Sequence, residues 1–262
     1  MNAESAKNIL GRPRWLRIGG YAFAALFLFW VVLGIYWSKP PRAFWVNEYI
    51  EDGRHVVGYS TADTLIRVSE ALLYKPGGYL TNDKLPPGVW LDNIPSWEFG
   101  VLQQVRDLAR VIRNDYTRSQ SQSSEDVDVA EAEPNFFFDN NSWILPTTES
   151  RYRAAIKGFT TYRDRLASGA PPEAQFYARA DNLREWLAQV EKRLGSMSRR
   201  LGNSVADDVI NEELAGDPAA SAAQPQRDTV DVRTPWLQID NVFFEARGTA
   251  WALLHFFRAV EF

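Results

Sequence analysis

Residues 18–37 read IGGYAFAALFLFWVVLGIYW, twenty positions without a charge. At 1.5 Å per residue, a helix of that length is about 30 Å long, the thickness of a bilayer's hydrocarbon core. Trp15, Tyr36 and Trp37 mark the two ends, where aromatic rings prefer the headgroup level. Lys7, Arg12, Arg14 and Arg17 precede the span, with Glu4 the only acid. Lys39 and Arg42 follow it, but Glu48, Glu51 and Asp52 come soon after. The heavier basic cluster is N-terminal, so residues 1–17 are expected to stay in the cytoplasm and the rest to be exported. A cleaved signal peptide shares the basic start, but its apolar run is shorter and small residues precede its cleavage site. Gly34-Ile-Tyr-Trp-Ser38 puts bulky rings there, so the expectation is an uncleaved anchor. Gly20 and Ala24 form a small-xxx-small pair of the kind that joins spans. Such pairs are common by chance, and no dimer is read from this one.

Composition bounds the remainder. The chain has 262 residues, 45% of them hydrophobic and 24% charged, which excludes a wholly disordered or collagen-like polymer. Cysteine is absent, so disulfides, thiolate metal sites and cysteine nucleophiles are excluded. With His55 and His255 the only imidazoles, metal chemistry through several histidines is excluded too. Residues 1–42 hold six basic and one acidic residue. The whole-chain totals of 29 and 33 leave 23 basic and 32 acidic for residues 43–262, a charge of −9. An acidic exported part binds neither nucleic acid nor anionic lipid by bulk charge. The lack of cysteine is compatible with a periplasm.

Beyond the span, residues 38–59 form a linker that begins Lys39-Pro-Pro-Arg42, a stiff exit from the bilayer. Ser60 or Thr61 is expected to cap a helix to about Lys75, with Leu65, Ile66, Leu72 and Leu73 on one face. Residues 76–95 (PGGYLTNDKLPPGVWLDNIP) alternate turn formers with large apolar groups, as an ordered loop folded onto helices does. A helix from near Ser96 to about Thr117 carries an apolar stripe of Val101, Leu102, Val105, Leu108, Ala109 and Ile112. Its Arg106, Arg110 and Arg113 form a second row, read as an ion-paired or solvated face rather than a site for an anionic partner. Ser119–Glu133 is polar and acidic, a mobile connector or a polar helix extension. Residues 135–146 (NFFFDNNSWILP) form a second aromatic-rich irregular stretch. Thr147 or Thr148 caps a helix to about Ala167, burying Tyr152, Ile156, Phe159, Tyr162 and Leu166.

Pro171 and Pro172 are expected to open the longest helix, to about Gly202. Phe176, Ala180, Leu183, Leu187, Val190, Leu194, Met197 and Leu201 alternate spacings of four and three along it, a heptad seam. The short connection at Ser168–Ala170 favours an antiparallel hairpin with the preceding helix over a coiled coil between chains. Residues 206–233 turn to Ala, Asp, Gln and Pro, a flexible linker. Residues 234–262 form a last helix capped by Asp240. It is too interrupted by Glu245, Arg247, His255 and Arg258 to be a second span, so it packs on the domain. The apolar ending at Phe262 points to a truncated product or a partner surface.

Several of these segments resemble a known family. PGGYL and PPGVWLDN (within 76–93), WEFGVLQQVRD (97–107), AEPNFFFDNNSWILP (132–146) and AQFYARADNLREWLAQVEKRLG (174–195) are similar to proteobacterial single-pass inner-membrane proteins grouped as a domain of unknown function. The resemblance covers most of residues 45–260. It implies a cell-envelope location and relatives that continue past the position of Phe262. It supplies no activity, cofactor or catalytic residue.

Motifs that carry chemistry are weak. There is no Walker loop, dinucleotide fingerprint or nucleophile elbow. His55 lies near Glu51 and Asp52 in a polar loop, a pairing that arises easily by chance. Glycan cleavage needs two carboxylates across a cleft, one with a raised pKa. Glu98, beside Trp97 and near Trp90, and Asp139, between Phe138 and Trp143, are the candidates. Their structural alternatives are support of a helix N-terminus and capping of a turn. Asp139-Asn-Asn141 lacks the spacing of a calcium loop.

The expectation is therefore an all-α protein: a transmembrane helix at 18–37 followed by a periplasmic helical bundle over 60–205 with long ordered aromatic loops. No catalytic residue, metal ligand or cofactor is assigned. The expected role is a non-catalytic scaffold or interaction module of the inner membrane, the alternative a glycan-binding or glycan-cleaving enzyme. The candidate interaction surface is Leu183, Leu187, Val190 and Leu194 with Trp90, Trp97 and Trp143. The expected partners are the bilayer through residues 18–37 and an envelope protein or a second copy, with no nucleic acid.

Overall fold

The computed structural model describes residues 14–46, 50–51, 54–118, 125–169, 174–205 and 234–261. Seven helices make up the architecture among them: α1 (Arg14–Trp37), α2 (Tyr59–Tyr74), α3 (Asn93–Val111), α4 (Val127–Phe136), α5 (Thr148–Ser168), α6 (Ala180–Val205) and α7 (Ile239–Val260). The one strand pairing among the described residues joins β1 (Ile50–Glu51) to β2 (Arg54–His55), too short to make a layer. The chain is all-α, as its periodicities require. The N-terminal residues 1–13, the Pro171-Pro172 helix opening and the 206–233 linker lie outside the described residues.

Helix α1 is long and apolar enough to cross a membrane. Its side chains stand clear of the domain, with Phe23 72% and Leu28 62% exposed. Its last turn meets the domain. An added Cβ on Gly34 would lie 3.5 Å from Pro87 and 3.8 Å from Leu91, and the Trp37 ring rests on Gly77. Gly77 has φ +86, and a Cβ there would meet that ring at 2.7 Å, so the turn needs glycine twice over.

Helix α2 lies in the core. It packs on α3, α5 and α7, and Ala62, Leu65, Val68 and Leu72 are all buried. Its start differs from expectation. Gly58, in the left-handed region, holds the N-cap position without a side-chain bond, and Ser60 and Thr61 lie inside the first turn, buried. Phe176 presses against Gly58, leaving no room for a capping side chain.

Helix α3 starts at Asn93, three residues before the expected Ser96. Pro95 is accommodated because the first-turn N–H groups have no partner inside the helix. Its predicted stripe of six residues is wholly buried. After Val111 the chain widens into one π turn (Ile112–Tyr116). The most extensive helix pairing is α3 with α7. It is made possible by Gly100, where a Cβ would sit 2.1 Å from Glu245 O, and Gly248, where one would sit 2.1 Å from Trp97 O.

The acidic segment after residue 124 is not a mobile connector. Residues 127–136 form α4, capped by Asp126, whose Oδ1 accepts from Asp128 N–H (3.1 Å) and Val129 N–H (3.3 Å). Val129, Ala132 and Phe136 fall on one face and bury against α5. Helix α5 is capped by Thr147 as expected.

Helix α6 begins at Ala180, not near Pro172, and residues 174–179 precede it as irregular chain. Phe176 is therefore outside the helix and stacks on Tyr116 at 4.5 Å. Tyr177 N–H donates to Tyr116 O (2.7 Å), and Asn182 Nδ2 donates to Asp115 O (2.8 Å). Those bonds satisfy carbonyls that the π turn leaves open. The expected hairpin with the preceding helix is replaced by packing on α3 and α7. Asp107–Arg193 and Asp115–Asn182 show that α6 runs antiparallel to α3. Glu245–Arg200 and Phe257–Trp186 show the same for α7. Asp240 lies within the first turn of α7, whose N-cap position is Gln238, without a side-chain bond.

Candidate functional site

The heptad pattern of α6 divides into two rows. Leu183, Val190 and Met197 belong to the inner row. Val190 is buried and the other two are half-buried. Leu187 and Leu194 belong to the outer row and are 41% and 42% exposed. The residues most fully inserted into the domain are Asn182, Trp186 and Val190. One row of the predicted seam is thus engaged, and the other is left along the helix edge.

On its inward side α6 closes a groove of about 620 Å³ with α3 and α7, lined by charged and amide groups such as Gln104, Lys192 and Arg193. Arg193 donates to both oxygens of Asp107 (2.5 and 2.9 Å), and Arg200 to both oxygens of Glu245 (2.5 and 2.7 Å). These two-pronged bonds raise both arginine pKa values and keep the acids in fixed orientations. The acids here are positioned by the fold and used by it.

Glu98 is in the same situation. Its side chain is completely buried. It accepts from Leu80 N–H (2.9 Å) and Thr81 N–H (2.8 Å), takes a bond from Thr81 Oγ1 (2.5 Å) and pairs with the buried Lys75. Lys75 in turn donates to Gly78 O. The carboxylate is the knot that ties the 75–91 loop to α3. Asp139 caps a turn by accepting from Asn141 N–H (3.0 Å). Glu98 is sealed from solvent and Asp139 lies exposed on its turn, while the flanking Trp97 is fully buried, packed at 5.2 Å from Trp251. Trp97 is thereby removed from the candidate interaction surface: its ring fills the α3–α7 crossing. Trp90 and Trp143 are each 57% exposed.

The arginine row that starts on α3 and runs into the π turn is engaged within the fold: Arg110 and Arg113 are ion-paired, and Arg106 is held by backbone carbonyls. Arg106 donates to Phe136 O (2.7 Å) and Phe138 O (3.0 Å), satisfying carbonyls at the C-terminal end of α4. Arg113 bonds Glu125 and Glu133, both at 3.0 Å, and Arg110 lies over the Phe137 ring at 4.1 Å.

Two further groups were not marked by any local signal. His255 is buried, its Nε2 accepting from Phe44 N–H (3.1 Å) while Nδ1 lies 2.7 Å from Trp251 O. A neutral ring protonated at Nδ1 satisfies both contacts, and burial lowers the pKa accordingly. Asp83 is pushed upward by burial and by the Glu98 charge. Of His55 only the backbone, in β2, is described. Among the described residues no group of three His, Asp or Glu is gathered to hold a metal ion.

An apolar helix joined at its last turn to a helical domain whose buried acids serve the fold defines the class: an all-α protein with, among the described residues, one helix long and apolar enough to cross a membrane. The chain belongs to the family described as "Uncharacterized protein conserved in bacteria (DUF2333)", whose model matches residues 11–262. The likeness seen in the irregular motifs is thus a family relationship. No curated protein and no solved structure matches the chain significantly.

Proposed function

We propose that the chain is a single-pass protein of the bacterial inner membrane, with residues 1–17 in the cytoplasm and the domain in the periplasm. The domain works without catalysis, as a scaffold or interaction module. The observation that carries this proposal is the outer row of α6. Leu187 and Leu194 lie one heptad apart and half-open on a helix whose inner row is already engaged. A row of that spacing is what a second helix packs against. The partner is an envelope protein or a second copy of the chain. The basic N-terminal cluster supports the orientation.

The test is site-specific photocrosslinking in cells, with the full-length anchored protein carrying a benzophenone amino acid at Leu187, Leu194 or, as control, Glu185 on the opposite flank. A discrete adduct from 187 and 194 and none from 185 is expected. The adduct's mass tells an envelope partner from a second copy. Equal labelling from all three positions, or none, overturns the proposal.

A further inference from the structure

The two irregular aromatic stretches are a single structural unit, and that unit is fastened to the base of α1. Tyr79 OH donates to Asn140 O (3.1 Å), Asn82 Nδ2 to Ser142 O (2.8 Å) and Lys84 Nζ to Asn141 Oδ1 (2.9 Å). The 75–91 stretch then meets α1 through Pro87 and Leu91 at Gly34 and through Gly77 at Trp37. Gly34 lies three residues, about 4.5 Å, inside the end of the apolar helix. The short 3-10 turn Gly88–Trp90 is therefore held level with the last turn of α1.

This unit exposes large apolar groups where a domain surface would normally be polar. Leu85 is 76% exposed, Val89 51%, Trp90 57%, Trp143 57%, Ile144 60% and Leu145 91%. Their backbones are fixed, so the exposure is not that of loose chain. Ser142 Oγ lies 3.1 Å from Ile144 O and 3.0 Å from Pro146 O, and Thr148 Oγ1 donates to Asp139 O (2.8 Å). The N-terminal end of α7 lies at the same end of the domain, because Glu245 and Gly248 are level with Gly100 and Trp97. The short turn before it exposes Trp236 and Leu237.

We propose that the two loops form one membrane-facing platform, whose occupant is the lipid interface of the leaflet from which α1 emerges. Trp90 and Leu145 enter the headgroup–acyl boundary, and the domain is held against the bilayer in one orientation rather than swinging on residues 38–46. The occupant is lipid because the patch is continuous with the spanning helix and joins Trp rings to aliphatic groups, the composition that prefers the interface. The net acidity of the exported part makes apolar insertion, not charge, the driving force. This proposal rests on α1 spanning the bilayer.

The absence of native cysteine allows a direct test. Trp90→Cys and Leu145→Cys are spin-labelled in the full-length protein in phosphatidylcholine nanodiscs, with Phe29→Cys in the span and Glu185→Cys on α6 as references. Collision rates with oxygen, which partitions into lipid, and with a water-soluble nickel chelate are read by electron paramagnetic resonance. The expected result is an oxygen-to-nickel ratio at 90 and 145 well above that at 185 and approaching that at 29. A water-like ratio at 90 and 145, with 29 in lipid, overturns the platform and leaves the span intact. Low collision with both reagents at 145 means that protein covers the loop, and also overturns it. A water-like ratio at 29 refutes the span itself. All four exchanged side chains are exposed, so the fold tolerates them.

Discussion

Gly100 on α3 and Gly248 on α7 mark a crossing where each helix approaches the other's backbone: a Cβ on either would lie 2.1 Å from a carbonyl oxygen opposite. Backbone cannot move aside as a flexible side chain does. Gly100→Ala or Gly248→Ala is therefore expected to push the helices apart and cost at least about 1–3 kcal/mol. Gly195, in α6 with open space around it, is the control. Gly195→Ala should stabilise by about 0.5–1 kcal/mol through helix propensity. Urea unfolding of the detergent-solubilised chain checks both signs. Equal behaviour of the three variants would refute the close crossing.

Lys75 and Glu98 are both wholly buried, and their pairing holds a loop rather than a reactive centre. Removing one member of a buried pair leaves the other charge uncompensated, a loss of about 3–5 kcal/mol. Glu98→Ala should incur that loss and also free the N–H groups of Leu80 and Thr81. Beyond the lower melting temperature, amide exchange should accelerate first at residues 80 and 81. A stable Glu98→Ala protein with unchanged exchange there would show that the knot does not hold the loop.

The helices with one apolar face were legible: α5 from its Thr147 cap and its Tyr152–Tyr162 face, and α3 from its stripe though not from its start. Helix α4 was not, because Ser119–Glu133 reads as a mobile connector or a polar extension of the preceding helix, not as a separate helix capped by Asp126. Its small face of Val129, Ala132 and Phe136 was outweighed by the acids, yet Glu133 is neutralised by Arg113 in the π turn after α3, a partner 20 positions away. The same limit applies to Glu98. Its aromatic neighbours in sequence suggested a cleft, while the groups that matter, Lys75 and two backbone amides, are 17 to 23 positions upstream. Only part of the heptad seam of α6 was legible: Val190 is buried, but Phe176 precedes the helix, Leu187 and Leu194 are exposed, and the ring that inserts is Trp186, which the seam did not include. Loop length favoured α5, whereas Trp186 and Val190 pack where α3 and α7 meet. Gly100 and Gly248 gave no signal beyond small residues within apolar stripes.

The two rows of α6 should separate in a mutation series. Trp186→Ala removes a fully buried ring and is expected to cost about 3–5 kcal/mol. Leu187→Ala and Leu194→Ala delete groups already two-fifths exposed and should cost about 0.5–1 kcal/mol. Thermal unfolding of the purified chain gives the order. If the leucines cost as much as the tryptophan, the outer row is already filled within the protein and is no docking edge.

His255 couples the exit from α1 to the domain, and its protonation state decides whether it can. Nε2 accepts from Phe44 N–H, the Phe44 ring stacks on the imidazole at 4.0 Å, and Arg67 and Arg258 oppose a positive charge there. Burial and those arginines place the folded pKa below the ordinary value near 6.5. Between the two values the unfolded chain binds more protons than the folded one, so stability must fall as pH falls. The contribution of His255 is complete above about pH 6.5 and is lost as pH drops through the folded pKa. On protonation the Phe44 N–H loses its acceptor, and residues 39–46 should release from α7. Denaturation profiles from pH 8 to 5 are expected to be steeper for the native chain than for His255→Gln, which cannot titrate. The difference should appear only below about pH 6.5. Parallel profiles would show that His255 is not held neutral by this contact.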